Sequence, residues 1–434
     1  MKASYRIFSL FSFCVGLGVS ASAAHVTHPA LTAHHAKAIE HLPAKSHTPL
    51  RKPAVTASAV HRPVGHTTPR KLAATTLTPS RRARTATTAR LRRATLVHHY
   101  YEHFTANSFF PGDIGAGDIT AGEDPIVRQA AINALGGMNG TAVVIDPSSG
   151  RILAMVNQKL ALSPGAEPCS TIKLTVALAA LSEGIVTRDT PVQLPGFRMN
   201  LTQALAKSNN LYFEEMGREL GFERVHHYAT QFGLGELAGY NLQGEHLGEY
   251  PDQPIPESQG GVGRMCSFGQ GVSLTPLQLG ALVAAIANGG TLYYLQHPTT
   301  PDEAANFEPR VKRTLKIAPY IPDVVDGMEG AVDYGTARSL HANFNALPVF
   351  GKTGTCSDNG TRFGWFASFS DSPQGSLVTV FFLEGGRATF GPRAAELTGV
   401  FYKNLLESDY FSQMNQEAKA HPASNTHTGT GASQ

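Results

Sequence analysis

Apolar residues are spread along the 434-residue chain in two different ways. Between residues 25 and 98 they keep no helical or alternating period, whereas from Asp124 onward they recur with the spacings of helices and strands. Asp124-Pro125 reads as an N-cap and first-turn proline, which predicts a helix to Leu135 closed by Gly136-Gly137. Two apolar runs, Gly140 to Asp146 and Arg151 to Asn157, flank Asp146-Pro147-Ser148-Ser149-Gly150 and predict a hairpin. A helix that is apolar nearly all round, and therefore buried, follows Ser170 and ends at Gly184. Further helices are predicted after the Asn200 cap to Lys207, from Leu211 to Leu220, from Glu223 to Phe232, and from Thr275-Pro276 to Gly289-Gly290. Beyond Val349 the period becomes that of strands, at 349–356, 362–370 and 376–384, before a last helix from Pro392 to about Leu406. Two strands at the front and three at the back, with helices between, give an α+β fold. Its mainly antiparallel five-stranded sheet is flanked by helices and a helical subdomain.

The two ends of the chain read differently from this middle. Lys2 and Arg6 precede a mostly apolar run from Ile7 to Val19 and the small residues Ala21-Ser22-Ala23, the pattern of a signal peptide over residues 1–24. The apolar run falls short of the roughly 20 residues that cross a bilayer, so cleavage is favoured over an uncleaved anchor. Residues 25–98 hold 13 Lys and Arg against one acid, Glu40. With Lys2 and Arg6, that +12 leaves −11 of the net +3 on residues 99–434. An acidic exported domain on a basic disordered tether points to anionic wall polymers or a membrane surface. It argues against nucleic acid, and a solvated spacer is the alternative. Residues 99–123 read as a lead-in, 124–411 as the domain and 412–434 as a second disordered tail.

Three motifs carry candidate chemistry. Ser170-Thr171-Ile172-Lys173 places a hydroxyl and an amine three residues apart on a helix, hence on one face. Burial of the amine would lower its pKa and let it take the serine proton. Ser208-Asn209-Asn210 offers a hydroxyl and a carboxamide at a helix break, and Lys352-Thr353-Gly354-Thr355 puts a fixed cation and two hydroxyls on a strand. There Gly354 would let a ligand backbone approach. With 28 Ser and 13 Lys, chance alone gives about 0.8 Ser-x-x-Lys matches, so only the three motifs together, in this order and on these elements, are specific. No phosphate loop, dinucleotide fingerprint or metal-ligand spacing appears, and no cofactor or metal is expected.

With these motifs the sequence resembles the penicillin-binding protein transpeptidase family, which shares its serine, lysine and Lys-Thr-Gly logic with serine β-lactamases. The likeness extends to the hairpin at 140–157, to Phe268-Gly269-Gln270-Gly271 with the helix after Thr275, and to Gly364-Trp365-Phe366, covering about 290 residues. The resemblance implies that Ser170 attacks the penultimate D-alanine carbonyl of a peptidoglycan stem peptide, forming an acyl-enzyme, with Lys173 as base. It implies that Ser208 relays a proton to the leaving amine, Asn210 holds the substrate amide and Lys352 keeps the field positive. Thr353 and Thr355, around Gly354, would bind the terminal carboxylate that β-lactams mimic. The backbone N–H groups of Ser170 and Thr355 would form the oxyanion hole. The site implied is thus that of a serine DD-transpeptidase, periplasmic or facing the cell wall, with β-lactam antibiotics as covalent inhibitors.

The chain departs from the family in several places. Cys169 stands where the family usually has glycine, and nothing before residue 99 resembles a glycosyltransferase domain or a structured pedestal. A DD-carboxypeptidase, a serine β-lactamase of the same fold, and a non-catalytic wall-binding or β-lactam-sensing relative stay open. Glu214 and Glu215 are expected to be solvated rather than to act as a hydrolytic base. In the family fold Cys169 and Cys356 come to one pocket, and a bond between them is one alternative. Three free thiols, with Cys266 the third, are the favoured state.

Overall fold

The computed structural model describes residues 104–372 and 375–412. The expected signal peptide, the basic segment and nearly all of the expected C-terminal tail lie outside the described residues. The structure forms the five-stranded antiparallel sheet expected: β1 (Gly140–Asp146), β2 (Arg151–Val156), β3 (Val349–Asp358), β4 (Thr361–Ser370) and β5 (Val378–Gly385), in the order β2-β1-β5-β4-β3. The first hairpin therefore pairs with the last strand, with Val143 opposite Val380.

Period-two alternation sends neighbouring side chains of each strand into two cores. Val143, Ile145, Trp365 and Phe382 face one, with α2 (Lys173–Ser182) and α6 (Pro276–Ala287). Ala142, Val144, Phe366 and Phe381 face the other, with α1 (Pro125–Leu135) and α8 (Gly391–Glu407). The caps expected from sequence are in place. The Asp124 carboxylate accepts from the N–H groups of Ile126 and Val127, and the Thr275 hydroxyl accepts from that of Gln278.

The helical subdomain contains α3 (Leu201–Ala206), α4 (Asn210–Gln231) and α5 (Gly261–Phe268). α4 consists of two helical pieces broken at the non-helical Gly221, φ 74° and ψ 162°, the two helices read from sequence. α5 and α7 (Ile321–Asp333) were not foreseen, nor were two small hairpins at 192–199 and 291–314. The described part of the lead-in packs against the domain. Asp118 accepts from the backbone N–H groups of Asn157 and Gln158, and Arg128 of α1 pairs with Asp118 and Glu123.

Candidate active site

Ser170 lies on a 3-10 turn, Cys169–Ile172, that leads into α2, rather than on the α-helix itself. Three residues per turn bring residues i and i+3 into line, so Lys173 sits directly over the serine. Its Nζ is 2.8 Å from Ser170 Oγ, 3.0 Å from the Ser208 carbonyl, 3.2 Å from Ser208 Oγ and 2.6 Å from Asn210 Oδ1. Ser208 occupies the break between α3 and α4 in a left-handed conformation, φ 53°, while Asn209 caps α4 through the Tyr212 N–H. From β3, Lys352 Nζ donates to Ser208 Oγ at 2.8 Å and to the Thr353 carbonyl at 3.0 Å. The structure thus brings Ser170, Lys173, Ser208, Asn210 and Lys352 together from elements up to 182 residues apart.

Both lysines are fully buried. Desolvation pushes the Lys173 amine well below its ordinary value, the Lys352 cation pushes it the same way, and the Glu214 carboxylate opposes them. Burial brings Lys352 down to about 7. Its hydrogen-bond partners, Ser208 Oγ and the Thr353 carbonyl, are neutral oxygens, so neither offsets that desolvation with a negative charge. A neutral Lys173 amine has two N–H groups and one lone pair. In that form the Ser208 carbonyl and Asn210 Oδ1, which only accept, would take both N–H groups and leave the lone pair for the Ser170 hydroxyl.

Of the strand residues, Thr353 Oγ1 lies 2.6 Å from Thr336 Oγ1, and Thr355 Oγ1 accepts from the Gly391 N–H at 2.8 Å. The close approach at Gly354 is made by the protein itself. A Cβ there would stand 2.8 Å from the Pro168 carbonyl oxygen and 3.2 Å from Trp365 Cβ, so the glycine lets β3 pack under the nucleophile turn. The buried Trp365 donates from Nε1 to the Glu167 carbonyl at 3.0 Å and fastens the same turn to β4. Ser357-Asp358-Asn359 is the polar turn expected, with Asn359 and Gly360 at φ 47° and 82° as a two-residue hairpin requires.

The cysteine expectation is corrected. Cys169 and Cys356 form a disulfide with a Cα separation of 5.5 Å, and Cys266 is the free thiol among the described residues. Burial pushes the Cys266 thiol up to about 12. Glu215 is half exposed as expected, but the Glu214 side chain is only 17% exposed, paired with Arg218. Sequence reasoning missed Thr336, and it missed Glu167, whose half-buried carboxyl is raised by desolvation and by Asp358 against the pull of Arg264. Neither residue lies in a recognisable motif.

Residues 140–403 match the family model described as the penicillin binding protein transpeptidase domain. The chain belongs to this family. Relatives of this transpeptidase-domain protein include the stage V sporulation protein D of Bacillus subtilis, 28% identical over 342 residues, covering 66% of this chain and 52% of that protein. The penicillin-binding protein PbpB of Mycobacterium tuberculosis is 28% identical over 271 residues, covering 52% of this chain and 40% of the relative. The peptidoglycan D,D-transpeptidase MrdA of Escherichia coli is 24% identical over 339 residues, covering 64% and 50%. The chain spans about half the length of these relatives. Among solved structures, PBP2 of Pseudomonas aeruginosa in complex with WCK 5153 aligns with a TM-score of 0.55 at 26% identity, covering 66% of this chain and 75% of that one. The transpeptidase domain of Burkholderia pseudomallei penicillin-binding protein 3, at 20% identity, shares the fold with a TM-score of 0.56 over 69% of this chain and 98% of that one. No helix among the described residues is long and apolar enough to cross a membrane.

Proposed function

We propose that this chain is a serine DD-transpeptidase acting on peptidoglycan stem peptides outside the cytoplasm. The observation that carries the reading is the buried Lys173 amine, 2.8 Å from Ser170 Oγ and pushed by desolvation toward its neutral form. Ser170 Oγ attacks the carbonyl of the penultimate D-alanine as its proton passes to Lys173 Nζ, and the backbone N–H groups of Ser170 and Thr355 hold the oxyanion. The proton travels through Ser208 Oγ, within 3.2 Å of Lys173 Nζ and 2.8 Å of Lys352 Nζ, to the leaving amine, which departs as free D-alanine. Asn210 Oδ1 is engaged by Lys173, so its Nδ2 remains to bind the substrate amide. The terminal carboxylate, received beside Thr353 and Thr355, recharges Lys352. An amine from a second stem peptide then takes the acyl group and regenerates the serine.

A penicillin acylates the same serine, which gives the test. Wild type incubated with a fluorescent penicillin should gain one adduct, located on Ser170 by peptide mass spectrometry, and Ser170→Ala should gain none while keeping its unfolding transition. Labelling that survives in Ser170→Ala sinks the assignment. Lys173, the base placed at the serine, is committed to acylation, so the adduct should persist for minutes. Its complete loss within seconds, with excess hydrolysed drug, would make the protein a β-lactamase.

A further inference from the structure

Cys169 directly precedes the nucleophile and Cys356 directly follows Thr355. Their disulfide therefore joins the two segments whose backbone N–H groups are assigned above to the oxyanion. The linked residues are 187 positions apart, on the 3-10 turn and on β3. Cys169 is fully buried and held at φ 51°, in the left-handed region that residues with a Cβ rarely adopt. The dihedrals at residue 169 set the direction of the Ser170 N–H, so strain and donor geometry meet at one residue. Two further contacts tie the same turn to the sheet: Pro168 against Gly354, and Trp365 Nε1 on the Glu167 carbonyl.

We propose that the Cys169–Cys356 disulfide is a positioning element of the acylation site. It holds Cys169 in the left-handed conformation and so keeps the two backbone donors at the spacing an oxyanion needs. The proposal rests on Ser170 being the nucleophile. A cross-link that served stability alone would constrain the unfolded chain and leave the acylation step untouched. A positioning cross-link becomes dispensable if residue 169 can take positive φ unaided, and glycine is the residue that does so without steric cost.

The test compares two paired variants with wild type. Both Cys169→Ala with Cys356→Ala and Cys169→Gly with Cys356→Ala lose the cross-link, and they differ in what residue 169 tolerates. Acylation by a penicillin is followed by stopped flow and resolved into a binding constant and a limiting rate. The alanine pair should acylate about tenfold more slowly at saturation, the penalty of left-handed backbone expressed as a rate, with its binding constant little changed. The glycine pair should stay within about twofold of wild type. As a second route, dithiothreitol donates two electrons to the bond, becomes the cyclic disulfide and leaves two thiols on the protein. Reduced wild type should slow like the alanine pair. An alanine pair as fast as wild type overturns the proposal, as does a glycine pair as slow as the alanine pair. So does finding Cys169 and Cys356 unlinked by peptide mapping without reduction. Wild type that takes no label at Ser170 fails the parent reading as well, whereas labelled wild type with unmoved variants fails the clamp alone.

Discussion

Replacing Lys352 by methionine should stabilise the protein at neutral pH while removing its reactivity. The Lys352 side chain is fully buried, and burial lowers its pKa from 10.5 to about 7. The folded value lies below the unfolded one, so the unfolded chain keeps the proton that the folded chain releases. Folding stability consequently rises with pH between about 7 and 10.5, and the full penalty applies below pH 7. Integrated between these values, burying Lys352 costs the fold about 4 kcal/mol at pH 7 relative to strongly alkaline solution. Methionine has a similar volume and no charge to desolvate. It loses two hydrogen bonds, to Ser208 Oγ and the Thr353 carbonyl, that contribute about 1 kcal/mol each. The balance favours Lys352→Met by about 2 kcal/mol at pH 7, or about 4 °C in Tm for a domain of this size. Near pH 10 less than about 1 kcal/mol of the penalty remains, the lost hydrogen bonds outweigh it, and the order reverses. Lys173, lowered for the same reason and by Lys352 itself, is relieved in the variant and adds in the same direction. Urea unfolding of both proteins from pH 6 to 10 reads the Lys352 penalty, together with the relief of Lys173, as the difference between the two curves. A difference that is constant with pH, or that grows in favour of the variant as pH rises, would refute the reasoning.

Gly354→Ala should destabilise the domain by about 1–3 kcal/mol and slow penicillin acylation, because the new Cβ meets the Pro168 carbonyl oxygen at 2.8 Å and pushes the nucleophile turn off β3. Unfolding and labelling measured together check it, and a silent substitution would show that the packing is loose. Glu214→Gln removes the charge that raises the Lys173 pKa, so the acidic limb of the acylation pH profile should move to lower pH. An unmoved limb would disconnect Glu214 from the lysine. Deleting residues 25–98 should weaken binding to isolated wall or acidic vesicles, and added salt should weaken binding of the full chain; equal binding with and without the segment would make it a spacer.

The elements legible in the sequence are those with local punctuation. The Asp124-Pro125 and Thr275-Pro276 caps announced α1 and α6, and the change of period beyond Val349 announced three strands. α7 escaped because Ile321–Asp333 carries Gly327 and Gly330, which read as breaks. In the fold they allow close packing, since a Cβ at Gly327 would strike Leu205 at 2.6 Å. The motif residues fell together as the resemblance implied, yet the sequence could not show that Lys352 meets only neutral oxygens and so titrates near neutrality. Nor could it show the cross-link, because a separation of 187 residues says nothing about distance in space.

The pairing of β1 with β5 has a consequence for the order in which this chain can be completed. Val143 finds its neighbour Val380 only when the intervening chain is in place, and Lys352 reaches Ser208 across 144 residues. Until the last strands join, the β1–β2 hairpin and the Ser170 turn have bare sheet edges and no Lys352 beside Ser208. A prematurely ended chain would therefore carry Ser170 without the Lys352 that the proposed proton relay uses. The proposed acylation would therefore begin only once β5 has closed the sheet between β1 and β4.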